Sequence, residues 1–247
     1  DDKHLVQAAG GCEKNVELIC GRYIVDAKSM LGVFSLPTFD DVELGAEEED
    51  EEKQVEIREE AANLAARFIS KLPEMRRILA TDVEAAYNGD PAATDFGEVI
   101  SCYPVIKALS NYRMAHELLK LGVPLIPRII TEMAHSETGI DIHPGAKIGH
   151  HFTIDHGTGV VIGATAIIGN NVKLYQGVTL GAKSFPLDDS GNPIKGNPRH
   201  PILEDDVIVY SNATILGRIT IGKGATIGGN IWVTEDVPAG AKIVQKK

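Results

Sequence analysis

Asp155 and His156 stand side by side in the stretch TIDHGTGVVIG, with glycines following them. An imidazole takes a proton from a hydroxyl or an amine near neutral pH when one ring nitrogen is held and the other is free. A carboxylate on Nδ1 supplies that hold, fixing the tautomer and stabilising the imidazolium that forms. Asp141 lies 15 residues before His156, close to one turn if three six-residue units close a coil, and is the candidate carboxylate. Ser and Cys are sparse around the pair, so the simplest chemistry is general-base activation of a substrate hydroxyl or amine. On spacing alone, a corner histidine facing solvent or bonded to a backbone carbonyl is an equal reading. A second polar pair, Arg199 and His200, closes the segment NPRHP further along.

The elements that carry these residues follow from a six-residue rule. Ile142, Ile148, Ile154, Val160, Ala166, Val172 and Val178 recur at that interval, and the rule returns at Val207, Ala213, Ile219, Ala225, Ile231 and Val237. A second column two places on is mostly aliphatic, with Pro144, His150 and His156 as exceptions. Periods of 3.6 and 2 both fail to give this pattern, whereas a parallel β-helix of hexapeptide repeats gives it directly. Each hexad forms a short strand and a turn, and stacked coils bury the aliphatic column. The 29 residues from Val178 to Val207 are not a multiple of six, so a Pro-, Gly- and Asp-rich loop at about residues 183–206 must protrude. Long loops in a compact repeat often carry function.

Before residue 139 the texture is helical. QVEIREEAANLAARFISKL gathers Val55, Ile57, Ala61, Leu64, Ala65, Phe68 and Leu72 near one face. Pro73 ends this helix or starts the next, Pro104 breaks a later one, and a last helix follows Pro127. The fold class read here is α+β, with an unassigned segment and acidic linker over 1–53, a helical domain over 54–138 and a β-helix over 139–247. The net charge of -11, concentrated in FDDVELGAEEEDEE, argues against nucleic acid as the main partner. No apolar run reaches the roughly 18 residues a membrane helix needs. The first residues lack a secretory pattern, and three unclustered cysteines fit a reduced, cytoplasmic compartment.

TGIDIHPGAKIG, IDHGTGVVIG, YQGVTLGAKS and NPRHPILEDDV together resemble the serine O-acetyltransferase family of hexapeptide-repeat acyltransferases. GDPAATDFGEVISCYP and NYRMAH resemble that family's helical N-terminal domain, so the likeness spans roughly residues 54–244. It implies a left-handed parallel β-helix, assembled as homotrimers or dimers of trimers with sites between neighbouring β-helices. The implied reaction is direct acetyl transfer from acetyl-CoA to L-serine, in cysteine biosynthesis and without a metal. His156 matches the family's base, Asp141 its orienting carboxylate, and Asp155 a residue that binds the serine ammonium. Arg199 and His200 match the loop pair that contacts the amino acid, Arg199 through its carboxylate. Gly181, Ala182 and Ser211 match positions along the CoA path, though the repeat itself asks for small residues there. An aspartate of the helical domain near the substrate amine aligns at Thr94, so Asp95 is the candidate, with Asp90 in the preceding turn. Many members carry a C-terminal tail that inserts into cysteine synthase, so the resemblance implies that partner through a tail that is not evident in AKIVQKK, either absent or lying beyond it. Cysteine shares serine's ammonium, carboxylate and chain length, so it is expected to inhibit competitively with serine.

Three other readings stay open from the residues. The β-helix serves equally a hexapeptide acyltransferase with a sugar or other amino-acid acceptor. A metal lyase resembling the γ-type carbonic anhydrases would use His151 and His156 with a third ligand from another coil or subunit. The last is a catalytically silent scaffold.

Overall fold

The computed structural model describes residues 16–20, 23–26, 43–46, 51–184 and 186–245. The chain divides into two compact units, residues 1–63 and 64–247. In the first, strand β1 (Val16–Cys20) lies between β2 (Tyr23–Asp26) and β3 (Glu43–Ala46) in an antiparallel sheet. Leu18 is opposite Val25 on one side and Leu44 on the other. Helix α1 (Glu51–Ile69) follows. The acidic stretch read as a linker is therefore partly strand and partly helix, because main-chain pairing of β3 is invisible in charge composition. Val55, Ile57 and Leu72 of the expected apolar face are exposed, whereas Leu64 and Phe68 are half-buried.

In the second unit, prolines open three helices: α2 (Leu72–Gly89), α4 (Pro104–Lys120) and α5 (Ile126–Thr138). Proline suits a first helical turn, where its missing N–H would have no partner. The short α3 (Phe96–Cys102) ends at Tyr103, which confirms a break at Pro104. Gly139, with φ 69°, closes α5.

Parallel strands of two or three residues then wind for about five turns around three faces. The first face begins with Asp141–Ile142, Val161–Ile162 and Thr179–Gly181; the second with Lys147–Ile148, Ile167–Ile168 and Ile202–Leu203; the third with Thr153–Asp155, Lys173–Tyr175 and Ile208–Val209. Ile142, Ile162, Leu180 and Ile215 stack inside the first face, all at most 2% exposed. The coil re-forms at Ile202, so the protruding loop is confined to residues between Gly181 and Ile202, shorter than the 183–206 span expected. Leu203 pairs with Ile168 inside the coil, so one more strand precedes the return of the six-residue period at Val207.

The helices and the β-helix share one core, in which Val99, Ile106, Leu109 and Tyr112 join the aliphatic columns. Residue 138 is thus no boundary between independent bodies. Helix α4 covers the open edge of the first coil, whose carbonyls would otherwise lack partners. Tyr112 Oη donates to Ala146 O at 2.6 Å, and Arg113 donates to Ile148 O and Gly149 O, each at 2.7 Å. Arg113 also pairs with Asp82, fully buried on α2, at 3.0 Å. Asp82 accepts the Phe152 N–H, and Thr81 accepts that of His151. Burial pushes the Asp82 carboxyl up to about 6, against the pull of Arg113. This latch fixes the segment that leads into Thr153–Asp155.

Candidate functional site

Five residues, 156–160, join Thr153–Asp155 to Val161–Ile162, whereas three, 176–178, make the same connection one coil later. His156 therefore lies on a two-residue bulge rather than in an aliphatic column. The bulge escapes a hydropathy count because the columns two places apart are both aliphatic, so a two-residue slip leaves the pattern looking unbroken. His156 has φ 61°, a left-handed conformation that costs a non-glycine residue about 1–2 kcal/mol. Its side chain is 75% exposed. Gly157 beneath it has φ 99°, and a Cβ there would stand 2.5 Å from Ile140 Cδ1, so glycine is required twice over.

His156 Nε2 lies 3.8 Å from Asp155 Oδ1. Asp141 borders the same bulge, its N–H bonded to Val160 O at 2.9 Å, with a half-buried carboxyl raised in pKa by burial. The charges that act on that carboxyl are His135, Glu132 and Arg128, not His156. The expected Asp141–His156 hydrogen bond is thus not formed in the isolated chain, because the imidazole points to solvent.

Asp155 Oδ2 instead holds Lys173 Nζ at 3.2 Å. The same ammonium donates to Gly89 O at 2.7 Å and lies 4.7 Å from the Tyr175 ring centre. Burial opposes the Lys173 charge, yet Tyr175 and Asp155 raise its pKa above the usual value. Gly89 leads into Asp90, which lines a small recess with Asp155, Tyr103 and Lys173. Tyr103 Oη donates to Asp90 Oδ2 at 2.5 Å, which holds that carboxyl below its usual range and pushes the phenol up to about 12. Asp95, the residue chosen from the sequence, accepts the Glu98 N–H at 2.9 Å as the N-cap of α3. The helical-region carboxylate beside Asp155 is Asp90. Asp95 is next to Thr94 in the chain, but its capping role engages it at the start of α3.

Arg199 and His200 sit at a different corner, where the loop joins the first and second faces. His200 is 7% exposed, and its Nδ1 accepts the Thr165 N–H at 3.1 Å. Thr165 Oγ1 in turn accepts the N–H groups of Arg199 and His200, at 2.9 and 3.1 Å. A Cβ on Gly163 would stand 2.0 Å from the His200 ring, so the glycine makes the seat for this imidazole. Burial and then the Arg199 charge hold His200 at about 4; burial and Arg128 hold the nearby His143 at about 4. A neutral His200 accepting at Nδ1 carries its proton on Nε2.

Gly181 and Ala182 belong to this loop corner, and Ser211 to the corner of His156. His151, His156 and His200 occupy three different corners. Among the described residues no group of three His, Cys, Asp or Glu side chains is placed to hold a metal ion, and no helix is long and apolar enough to cross a membrane.

No family model matches the chain. Individual relatives do. A plasmid-encoded serine acetyltransferase of Synechococcus elongatus is 58% identical over 189 residues, 76% of this chain and 59% of that protein. The chain thus spans less than two thirds of that relative. The Bacillus subtilis serine acetyltransferase is 42% identical over 168 residues, covering 68% of this chain and 73% of that protein. Among solved structures, Entamoeba histolytica serine acetyltransferase 1 in complex with L-cysteine superposes with a TM-score of 0.72 at 44% identity, over 75% of this chain and 68% of that one. Soybean serine acetyltransferase complexed with serine gives 0.64 at 34%, over 73% and 70%. With the parallel β-helix, the His156 bulge and the Arg199–His200 loop already in view, this likeness in sequence and fold settles the family: the chain belongs to the serine acetyltransferases.

Proposed function

We propose that the protein transfers the acetyl group of acetyl-CoA to the hydroxyl of L-serine, giving O-acetylserine and CoA. What supports the reading is an exposed imidazole, His156, raised on its own bulge, together with a buried His200 beside Arg199 at the loop corner. His156 takes the hydroxyl proton as the serine oxygen attacks the thioester carbon. The tetrahedral oxyanion collapses, the C–S bond breaks, and the imidazolium returns the proton to the CoA thiolate. Asp141 orients the ring once it turns inward from solvent. Asp155 and Asp90 receive the serine ammonium, and Arg199 the carboxylate through a two-pronged contact that suits guanidinium. His200 offers its Nε2–H beside Arg199. Gly181, Ala182 and Ser211 border the path of CoA.

These groups divide between two corners of one prism, so one chain does not bring them together. A ring in which the His156 corner of each copy meets the loop corner of the next completes every site by a single repeated contact. A homotrimer suits three-faced units of this kind. Cysteine presents the same ammonium and carboxylate, and the Entamoeba relative's complex with L-cysteine supports its binding here in competition with serine. The exposed free thiol of Cys102 fits a reducing, cytoplasmic setting. The test is thiol release from acetyl-CoA with serine and with a panel of sugars and other amino acids. Release dependent on serine alone supports the reading; release with a sugar acceptor instead removes it.

A further inference from the structure

We infer that Gln176 reads the acyl donor, its side-chain carbonyl receiving the first amide N–H of the pantetheine arm beyond the thioester; this rests on the acetyl-CoA reaction proposed above. Among the described residues, Gln176 Oε1 is the buried side-chain polar atom that lacks a hydrogen-bond partner. Its backbone carbonyl, by contrast, is occupied, accepting the Asn212 N–H at 2.9 Å. Leaving a buried acceptor unmet costs about 1–3 kcal/mol, so a donor belonging to the working state is expected to reach it.

The position of Gln176 says which donor. Asp155 is in register with Tyr175, and Lys173 and Leu174 with Ile208 and Val209. Continued by one residue from Asp155–Tyr175 and by two from Leu174–Val209, that register sets Gln176 level with His156 at the start of the bulge and with Ser211 in the next coil, while past the bulge the Gly177 N–H bonds Thr158 O. Coils repeat at about 4.8 Å. In CoA three bonds separate the thioester sulfur from the nearest amide nitrogen, a span comparable to that spacing. A thioester attacked beside His156, with its arm running along the corner towards Ser211, therefore brings this N–H to the level of Gln176. The terminal torsion of glutamine is broad, so the carbonyl turns outward to meet it.

The experiment is calorimetric titration of CoA itself, without turnover, so it stays readable even if serine is not the acceptor. Gln176→Leu should bind CoA about three- to ten-fold more weakly, as expected for one neutral hydrogen bond. A CoA analogue with an ester oxygen in place of that nitrogen should bind the wild type more weakly than CoA does, and should bind both proteins alike. Should Gln176→Leu fail to fold, the analogue against wild type gives the same answer alone. Equal affinity of wild type for CoA and the analogue overturns the inference. So does a change of oligomeric state in Gln176→Leu with unaltered CoA affinity, which would assign the missing donor to a second copy of the chain.

Discussion

Replacing Gly163 by alanine probes the seat of His200. The new Cβ would lie 2.0 Å from Cδ2 and 2.1 Å from Nε2 of a ring that is itself enclosed. The ring must move, since no carbon approaches another heavy atom that closely. Overpacking of this kind costs about 1–3 kcal/mol. The displaced ring also gives up the Thr165 N–H, adding about 1–3 kcal/mol if that donor stays buried. A total of about 2–6 kcal/mol follows. Urea unfolding followed by circular dichroism reads this loss. Steady-state kinetics should show the KM for serine raised several-fold, with the KM for acetyl-CoA changed much less, because the proposed reaction assigns His200 and Arg199 to the amino acid. Wild-type stability together with an unchanged serine KM would refute the argument that Gly163 exists to admit His200.

Arg113→Met should cost about 3–5 kcal/mol, because it leaves Asp82 buried without its partner. That loss should be smaller near pH 5 than near pH 8, since Asp82 can then take up a proton; equal losses at both would contradict it. His143 and His200 stay neutral to about 4 in the folded chain, whereas unfolded histidines take up protons at about 6.5. Their contribution is thus full above 6.5 and lost as pH falls towards 4, worth at most about 3 kcal/mol for the well-buried His200. A denaturation midpoint that is flat from pH 7 to about 4.5 would count against it. Arg199→Lys should weaken serine far more than acetyl-CoA, and serine amide should no longer be discriminated from serine; retained discrimination would free Arg199 of that role.

The architecture was legible because a six-residue period has a single structural meaning, and one chain prints it over a dozen times. What hid was any change that kept hydropathy intact. The bulge at His156 slips the strand by two, and Val160 and Ile162 are interchangeable to a count of aliphatic residues although they take different places in the coil. Leu203 went unread for the same reason, as a hexad that starts before the expected column. Asp155, His156, Arg199 and His200 stood out by side-chain type. Lys173 did not, and Asp90 stood second to Asp95, since their meeting with Asp155 joins residues 18 and 65 positions apart through coil stacking and helix packing. Gly163 carries no signal of its role either, because its contact with His200 arises between coils.

The central claim is that each site takes His156 from one copy and Arg199 with His200 from the next. His156→Ala and Arg199→Ala proteins, each nearly inactive alone, should be unfolded together, refolded as a mixture and assayed for acetyl transfer to serine. With random assembly in a closed ring, about a quarter of the contacts join two intact corners, so activity should recover to about a quarter of wild type. A mixture as inactive as its components, with mixed oligomers verified by mass, would place the whole site within one chain and contradict the account.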